Sequence, residues 1–397
     1  MRAALQTVPE AEAPDWQAGG FGLYIHWPFC RAKCPYCDFN SHVSRAAVDH
    51  GAWAAALTRE MAAMRAMTGP RRLDTIFFGG GTPSLMAPAT VSALIETAQA
   101  LWGLAAGAEI TLEANPTSVE AAKFRAYRAA GVNRVSIGVQ ALVDTDLRAL
   151  GRTHSVTEAL AAIELARGVF DRVSFDLIYA RQGQSPKAWA TELEAALALG
   201  PDHLSLYQLT IEPGTRFAEL HARGRLSVPE DGIAADMYAV TQAVTAAAGL
   251  AAYEVSNHAK PGAESRHNLI YWRYGDYAGV GPGAHGRLTL EDGRRIATET
   301  AADPAAWQAA VAKAGHALTQ DQPVTSEDQA VEMMLMGLRL AEGVDLQRFE
   351  RLAGHPLDPR RIATLEADGV VRRTGERLAV TEAGRPVLNA ILREILV

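Results

Sequence analysis

The stretch Tyr24–His42, YIHWPFCRAKCPYCDFNSH, holds every cysteine of the 397-residue chain: Cys30, Cys34 and Cys37. The spacing is C-x3-C-x2-C. An odd, clustered set of thiols argues against a disulfide framework and fits a reducing compartment. Three readings are open. A structural zinc ion takes four ligands, so His26 or His42 would supply the fourth. A redox pair of Cys34 and Cys37 would leave Cys30 idle. A 4Fe–4S cluster normally takes four cysteines. With three, one iron stays open, and a small molecule bearing an amine and a carboxylate can chelate it. The rings of Tyr24, Trp27, Phe29 and Tyr36 stand beside the thiols and would shield such a cluster from water and oxygen.

Outward from this loop the chain reads as an ordinary globular protein. It is 48% hydrophobic and 21% charged, with a net charge of −7. That balance argues against a dedicated nucleic-acid binder. No apolar run reaches the length of a membrane span, and the first twenty residues lack the apolar core of a signal peptide. A cytoplasmic protein is expected, with residues 1–20 as a flexible tail ending at Gly19-Gly20.

Short apolar runs then alternate with Ala-rich helical patterns. Candidate strands are Gly22–His26, Leu73–Phe78, Glu109–Glu113, Arg134–Val139, Arg172–Ile178, Leu204–Leu209 and Ala251–Val255. Val156, Leu160, Ile163 and Phe170 share one face of an intervening helix, with N-cap candidates between Thr153 and Thr157. This alternation predicts an α/β parallel sheet, best fitted by a partial, open TIM-like barrel over residues 21–300. Ligands in such folds gather at the carboxyl ends of the strands. The run IFFGGGTPS puts Gly79–Gly81 and Thr82 at such an end. Its glycines allow close backbone approach and would expose N–H groups to a carboxylate. Glu113, Gln140, Arg152 and Asp176 are further strand-end candidates, the carboxylates for hydroxyls or an amine and Arg152 for a carboxylate.

The cluster loop, GGGTP, EANP, SIGVQ, LGRTH and HNLIYW together resemble the HemN/HemW group of the radical SAM superfamily, from about residue 21 onward. The resemblance implies that Cys30, Cys34 and Cys37 hold a 4Fe–4S cluster whose open iron takes S-adenosylmethionine. It implies that Tyr24, Gly80, Gly81, Thr82, Glu113, Gln140, Arg152 and Asp176 contact that molecule or a second ligand, with Tyr36 nearby. One branch of the group is an oxygen-independent coproporphyrinogen III oxidase, which decarboxylates propionate side chains in porphyrin biosynthesis. It carries a further cysteine two places after the third, where this chain has Phe39, and a longer N-terminal extension. The other branch consists of heme chaperones. The pattern HNxxYW (His267-Asn268-Leu269-Ile270-Tyr271-Trp272) points to that branch and to heme binding. A neutral imidazole is a common axial ligand of heme iron, and Tyr and Trp offer flat apolar area. His285, in GVGPGAHG, is a second candidate ligand or pocket liner. The implied partners are heme and an acceptor hemoprotein. A homodimer is allowed, and neither nucleic acid nor a membrane span is expected.

From Asp303 the pattern turns helical, and residues 301–397 read as a C-terminal domain. Val331, Met334, Leu335 and Leu338 share a face, and the Met-rich run around them reads as core. Helices at Leu346–Ala353 and Pro359–Ala367 precede strands Val370–Arg373 and Arg377–Thr381, a winged-helix-like order. Its arginines (Arg360, Arg361, Arg372, Arg373, Arg377) are offset by Glu366, Asp368, Glu376 and Glu382, which favours a covering or protein-contact role over DNA binding.

Overall fold

The computed structural model describes residues 13–44 and 47–396. Among these residues, twelve strands form one sheet. It begins with β1 (Phe21–Trp27), after which the cluster loop is framed by the short parallel pair β2 (Phe29–Cys30) and β3 (His42–Val43). Next come β4 (Leu73–Gly80), β5 (Leu104–Ala114), β6 (Arg134–Gln140), β7 (Arg172–Tyr179) and β8 (His203–Gln208). From β1 through β4 to β8 each strand pairs in parallel with the next. The six expected parallel strands are therefore present.

The seventh expected strand, Ala251–Val255, is not a parallel neighbour. Only β9 (Ala251–Ala252) forms, and it pairs antiparallel with β10 (Asn257–Ala259), itself antiparallel to β8. The seventh parallel strand is β11 (Asp276–Val280), which lies beside β1 on the opposite flank. Its sequence, DYAGV, is too short and too interrupted to announce a strand. An antiparallel run follows: β12 (His285–Thr289), β13 (Arg295–Thr300) and β14 (Leu318–Pro323). With β14 and β9 as two unjoined edges, the barrel is open.

Alternation along each strand separates two environments. Phe21, Leu23, Ile25 and Trp27 of β1 pack with Ile76, Phe78, Leu112, Val135 and Leu204 into one core under the outer helices. Fully burying side chains of this size contributes about 1.5–3 kcal/mol each. The alternate positions face the lumen and are largely polar or small: Gly22, Tyr24 and His26 lie level with Thr75, Phe77 and Gly79. Helix faces shift slightly from the sequence expectation. In helix Val156–Arg167 the buried positions are Ala159, Ala162, Ile163 and Ala166, and Leu160 is exposed. Small residues let this helix lie close to the sheet, which turns Leu160 outward. Its N-cap is Ser155, in a capping box with Glu158.

The segment Asp15–Ala18 is a turn of 3-10 helix rather than tail. Asp15 pairs with Arg348 at 2.7 Å, and Trp16 packs edge-on against Phe21. Residues 1–12 of the expected tail lie outside the described residues. The helix Pro304–Ala314 and β14 belong with the barrel: Trp307, Val311 and Ala317 are in its core. The C-terminal core starts with helix Ser326–Gly337, where Met333, Met334 and Leu338 pack against Phe349, Ile362 and Leu378. Leu335 is exposed and Val331 half-buried, so the buried face is rotated from the one expected. The helices Leu346–Ala353 and Pro359–Ala367 and the sheet of β15 (Val344–Asp345), β16 (Val371–Thr374) and β17 (Arg377–Val380), in the order β15-β17-β16, make the winged-helix-like domain.

Candidate functional site

A cavity of about 480 Å³ opens at the carboxyl ends of the parallel strands. It is lined by Cys30, Cys34 and Cys37 with Tyr36 and Phe39, and by Gly80, Gly81, Thr82, Glu113, Gln140, Arg152 and Asp176. Eleven of the fourteen residues singled out from sequence thus face one space. Tyr24, His267 and His285 do not line it.

Each thiol has a polar neighbour. The Thr82 hydroxyl donates to Cys30 Sγ at 3.3 Å, Arg152 Nη1 donates to Cys34 Sγ at 3.4 Å, and Cys37 Sγ lies 3.8 Å from Ser41 Oγ. Burial pushes the Cys30 and Cys37 thiols up. Donors aimed at sulfur suit thiolates that carry a metal cluster. Among the described residues, no three His, Cys, Asp or Glu side chains converge on a single metal-ion position. His26, a candidate fourth zinc ligand, has both ring nitrogens engaged, by Tyr24 Oη at 3.0 Å and Asn40 O at 2.8 Å. His42 Nε2 meets Asn40 Oδ1 at 3.0 Å. The donor set therefore fits a 4Fe–4S cluster held by three cysteines.

In the glycine turn Gly80 is a backbone hydrogen-bond partner of the Glu113 carboxyl, and the next two amides are taken up by the chain itself. The Gly81 amide donates to Trp27 O at 2.7 Å and the Thr82 amide to Phe29 O at 2.9 Å. These N–H groups seat the cluster loop instead of being offered to a ligand. The approach is close: a Cβ on Gly81 would lie 2.9 Å from the carbonyl oxygens of Pro28 and Phe29.

On the opposite wall, Glu113 ends β5 and Asp176 lies on β7. Burial, reinforced by the charge of Asp176, pushes the Glu113 carboxyl up to about 8. Burial also raises Asp176 to about 6, against hydrogen bonds from Ser205 and Ser136. Burial thus holds both carboxyls toward their protonated, neutral forms. Gln140 ends β6 with φ of +71°, a strained conformation for a residue with a Cβ. Arg152 Nη2 is fixed by Gly138 O at 2.8 Å and by Asn115 Oδ1. Asn115 also donates to Thr82 at 3.3 Å, tying the arginine to the glycine turn. Asn115, Ser136 and Tyr207 line the cavity and were missed as sites. Their signal was the two-residue alternation that put Ser136 inward, and the strand-end positions of Asn115 and Tyr207.

His267 does not line the cavity. HNLIYW forms the short helix Arg266–Trp272, capped by Ser265. The helix plugs the amino end of the barrel. There His267 Nδ1 meets Thr75 Oγ1 and Nε2 meets Tyr271 Oη, both at 2.6 Å, while the ring stacks on Phe77. Burial lowers its pKa to about 3, so the ring is neutral. In this conformation neither nitrogen is free. Tyr24 also stacks on Phe77, with ring centroids 6.2 Å apart. His285 starts β12 and is exposed.

The radical SAM superfamily model matches residues 24–195, and the HemN C-terminal domain model matches residues 324–387. Radical S-adenosyl methionine domain-containing protein 1, mitochondrial, from Bos taurus is 38% identical over 398 residues, 98% of this chain and 89% of that protein. Heme chaperone HemW from Escherichia coli (strain K12) is 39% identical over 377 residues, 94% of this chain and 97% of that protein. The solved structure of coproporphyrinogen III oxidase (HemN) from Escherichia coli, a radical SAM enzyme, superposes with a TM-score of 0.78 at 25% identity, covering 96% of this chain and 92% of that one.

Proposed function

Because the chain belongs to the HemW group of the radical SAM superfamily, we propose that it is a heme chaperone that binds heme and passes it to an acceptor hemoprotein. The observation that carries this reading is similarity over nearly the full length to proteins named for that role. Cys30, Cys34 and Cys37 would hold a 4Fe–4S cluster, and S-adenosylmethionine would complete it. Such a cluster supplies one-electron chemistry and an open coordination position when bound. Around it, Thr82 and Arg152 hold negative charge on sulfur, Glu113 and Asp176 accept from hydroxyls or an amine, and Tyr36, packed against Phe217, limits water at the loop. The three thiols suit a reducing compartment such as the cytoplasm. Among the described residues no helix is long and apolar enough to cross a membrane.

The oxidase reading is weaker, since Phe39, 60% exposed at the cavity, stands where that branch carries its further cysteine. Anaerobic incubation of the cluster-loaded protein with coproporphyrinogen III, S-adenosylmethionine and a reductant separates the two. The chaperone reading expects no decarboxylated porphyrinogen. Multiple turnovers to vinyl-bearing product would overturn it.

A further inference from the structure

Two of the three thiols are linked through one side chain. Asn115 directly follows β5, two places after Glu113, and both residues line the cavity. Its amide lies between the two side chains that donate to sulfur. Arg152 Nη2 donates to Asn115 Oδ1, and Asn115 Nδ2 donates to Thr82 Oγ1 at 3.3 Å. The directions of these bonds follow from the groups themselves. A guanidinium has donors only and keeps its charge, so the amide oxygen faces Arg152. The amide nitrogen then faces Thr82, whose oxygen must accept. A hydroxyl has one hydrogen, and Cys30 Sγ, 3.3 Å away, takes that of Thr82. The other arm of the guanidinium, Nη1, donates to Cys34 Sγ at 3.4 Å.

A row of oriented bonds thus starts on one cation and ends on two sulfurs. Each bond in such a row polarises the next. Cys37 stands outside it, beside Ser41. The amide is also held from behind. The Asn115 backbone N–H donates to Glu120 Oε2 at 3.1 Å, and Glu120, 1% exposed, accepts as well from Thr117 Oγ1 at 3.2 Å and from Ser84 Oγ. Ser84 lies two residues after Thr82. One buried acid therefore fixes the chain on both sides of the Asn115–Thr82 bond.

Resting on the reading of the three thiols as cluster ligands, we infer that Asn115 is a positioning residue that aims the Thr82 hydroxyl at Cys30 and the Arg152 guanidinium at Cys34, and so raises the reduction potential of the cluster they hold. Hydrogen bonds to the sulfurs set that potential. Donors stabilise the more negative, reduced form, so losing one lowers it. Asn115→Asp is the diagnostic change. It keeps the size of the side chain and an acceptor for Arg152, but a carboxylate cannot donate. The single hydrogen of Thr82 then turns to the carboxylate and away from Cys30.

The test is an anaerobic potentiometric titration of the full-length, cluster-loaded protein, run as a double-mutant cycle. In the wild-type background Thr82→Val is expected to shift the redox equilibrium roughly tenfold toward the oxidised form, about 59 mV for one electron. Thr82→Ser keeps the hydroxyl and is expected to keep the wild-type potential. In the Asn115→Asp background Thr82→Val is expected to shift the potential far less, because the hydroxyl has already left Cys30. The cycle cancels the charge that the aspartate adds. Equal shifts in the two backgrounds would overturn the role of Asn115 and leave the cluster reading intact. Should Thr82→Val not load iron, the iron–thiolate bands in resonance Raman give the same answer from Asn115→Asp alone: they are expected to shift, and an unshifted spectrum would overturn the role. A wild-type chain that assembles no 4Fe–4S cluster would overturn both.

Discussion

Replacing Gly81 by alanine tests whether the glycine turn is built to seat the cluster loop. The added Cβ would meet three backbone atoms, Phe29 O, Pro28 C and Pro28 O, each at 2.9 Å. None is the end of a flexible side chain, so strand β2 has to move. Overpacking of this kind costs about 1–3 kcal/mol. The same shift stretches two backbone hydrogen bonds, Gly81 N to Trp27 O and Thr82 N to Phe29 O, at about 0.5–1.5 kcal/mol each. The sum is about 2–6 kcal/mol. With unfolding entropy of about 2.1 cal/mol/K per residue, a chain of this length loses about 1.2 °C in Tm per kcal/mol. Calorimetry should then show a fall of about 2–7 °C. Thr82 also moves off Cys30, so the reconstituted variant should hold less iron per chain. Gly232→Ala is the control, because its Cβ meets nothing within 4 Å inside helix Asp231–Ala247; it should be neutral or slightly stabilising. Wild-type Tm and full iron content in Gly81→Ala would refute the seating argument.

Other outcomes follow from the same geometry. Between pH 4.5 and about 8 the folded chain keeps on Glu113 a proton that the unfolded chain has released. Stability therefore falls as pH rises through that window. The shift corresponds to at most about 5 kcal/mol. Glu113→Gln should raise Tm above pH 8 and leave it unchanged near pH 4, and a gain equal at both pH values would contradict this. The buried carboxylate of Glu60 accepts from Gly281 N, Ala317 N and Trp307 Nε1. Glu60→Leu leaves three buried donors unpaired, at about 1–3 kcal/mol each, less the relief of removing a buried acid. Urea unfolding should show a net loss of about 3 kcal/mol or more. Arg152→Met removes the donor to Cys34 Sγ; the reconstituted variant should lose its cluster absorbance faster under chelator than wild type, and an equal rate would remove that role.

The parallel half of the barrel was legible because β-branched and aromatic runs end in polar residues, as in RVSIGVQ and VSFDLIY. Cavity residues were legible for the same reason, since a parallel sheet gathers its strand ends. The antiparallel extension was not. DYAGV and HGRLT pair through backbone groups, and glycines at Gly279 and Gly286 hide the alternation. Partner strands, not propensity, make these segments strands. Leu160 and Leu335 misled the helix reading, because alanines and Gly337 let their helices approach on another face. Asp15 could not be separated from a tail, since its partner Arg348 lies 333 residues away. His267 looked accessible because its partners, Thr75 and Tyr271, come together only in the fold.

The most direct test of the account is an anaerobic heme titration of the cluster-loaded protein, followed at the Soret band with iron and sulfide measured on the same sample. Saturation near one heme per chain, on protein holding close to four irons, is the predicted result. A linear, unsaturating response on fully loaded protein would contradict the central claim.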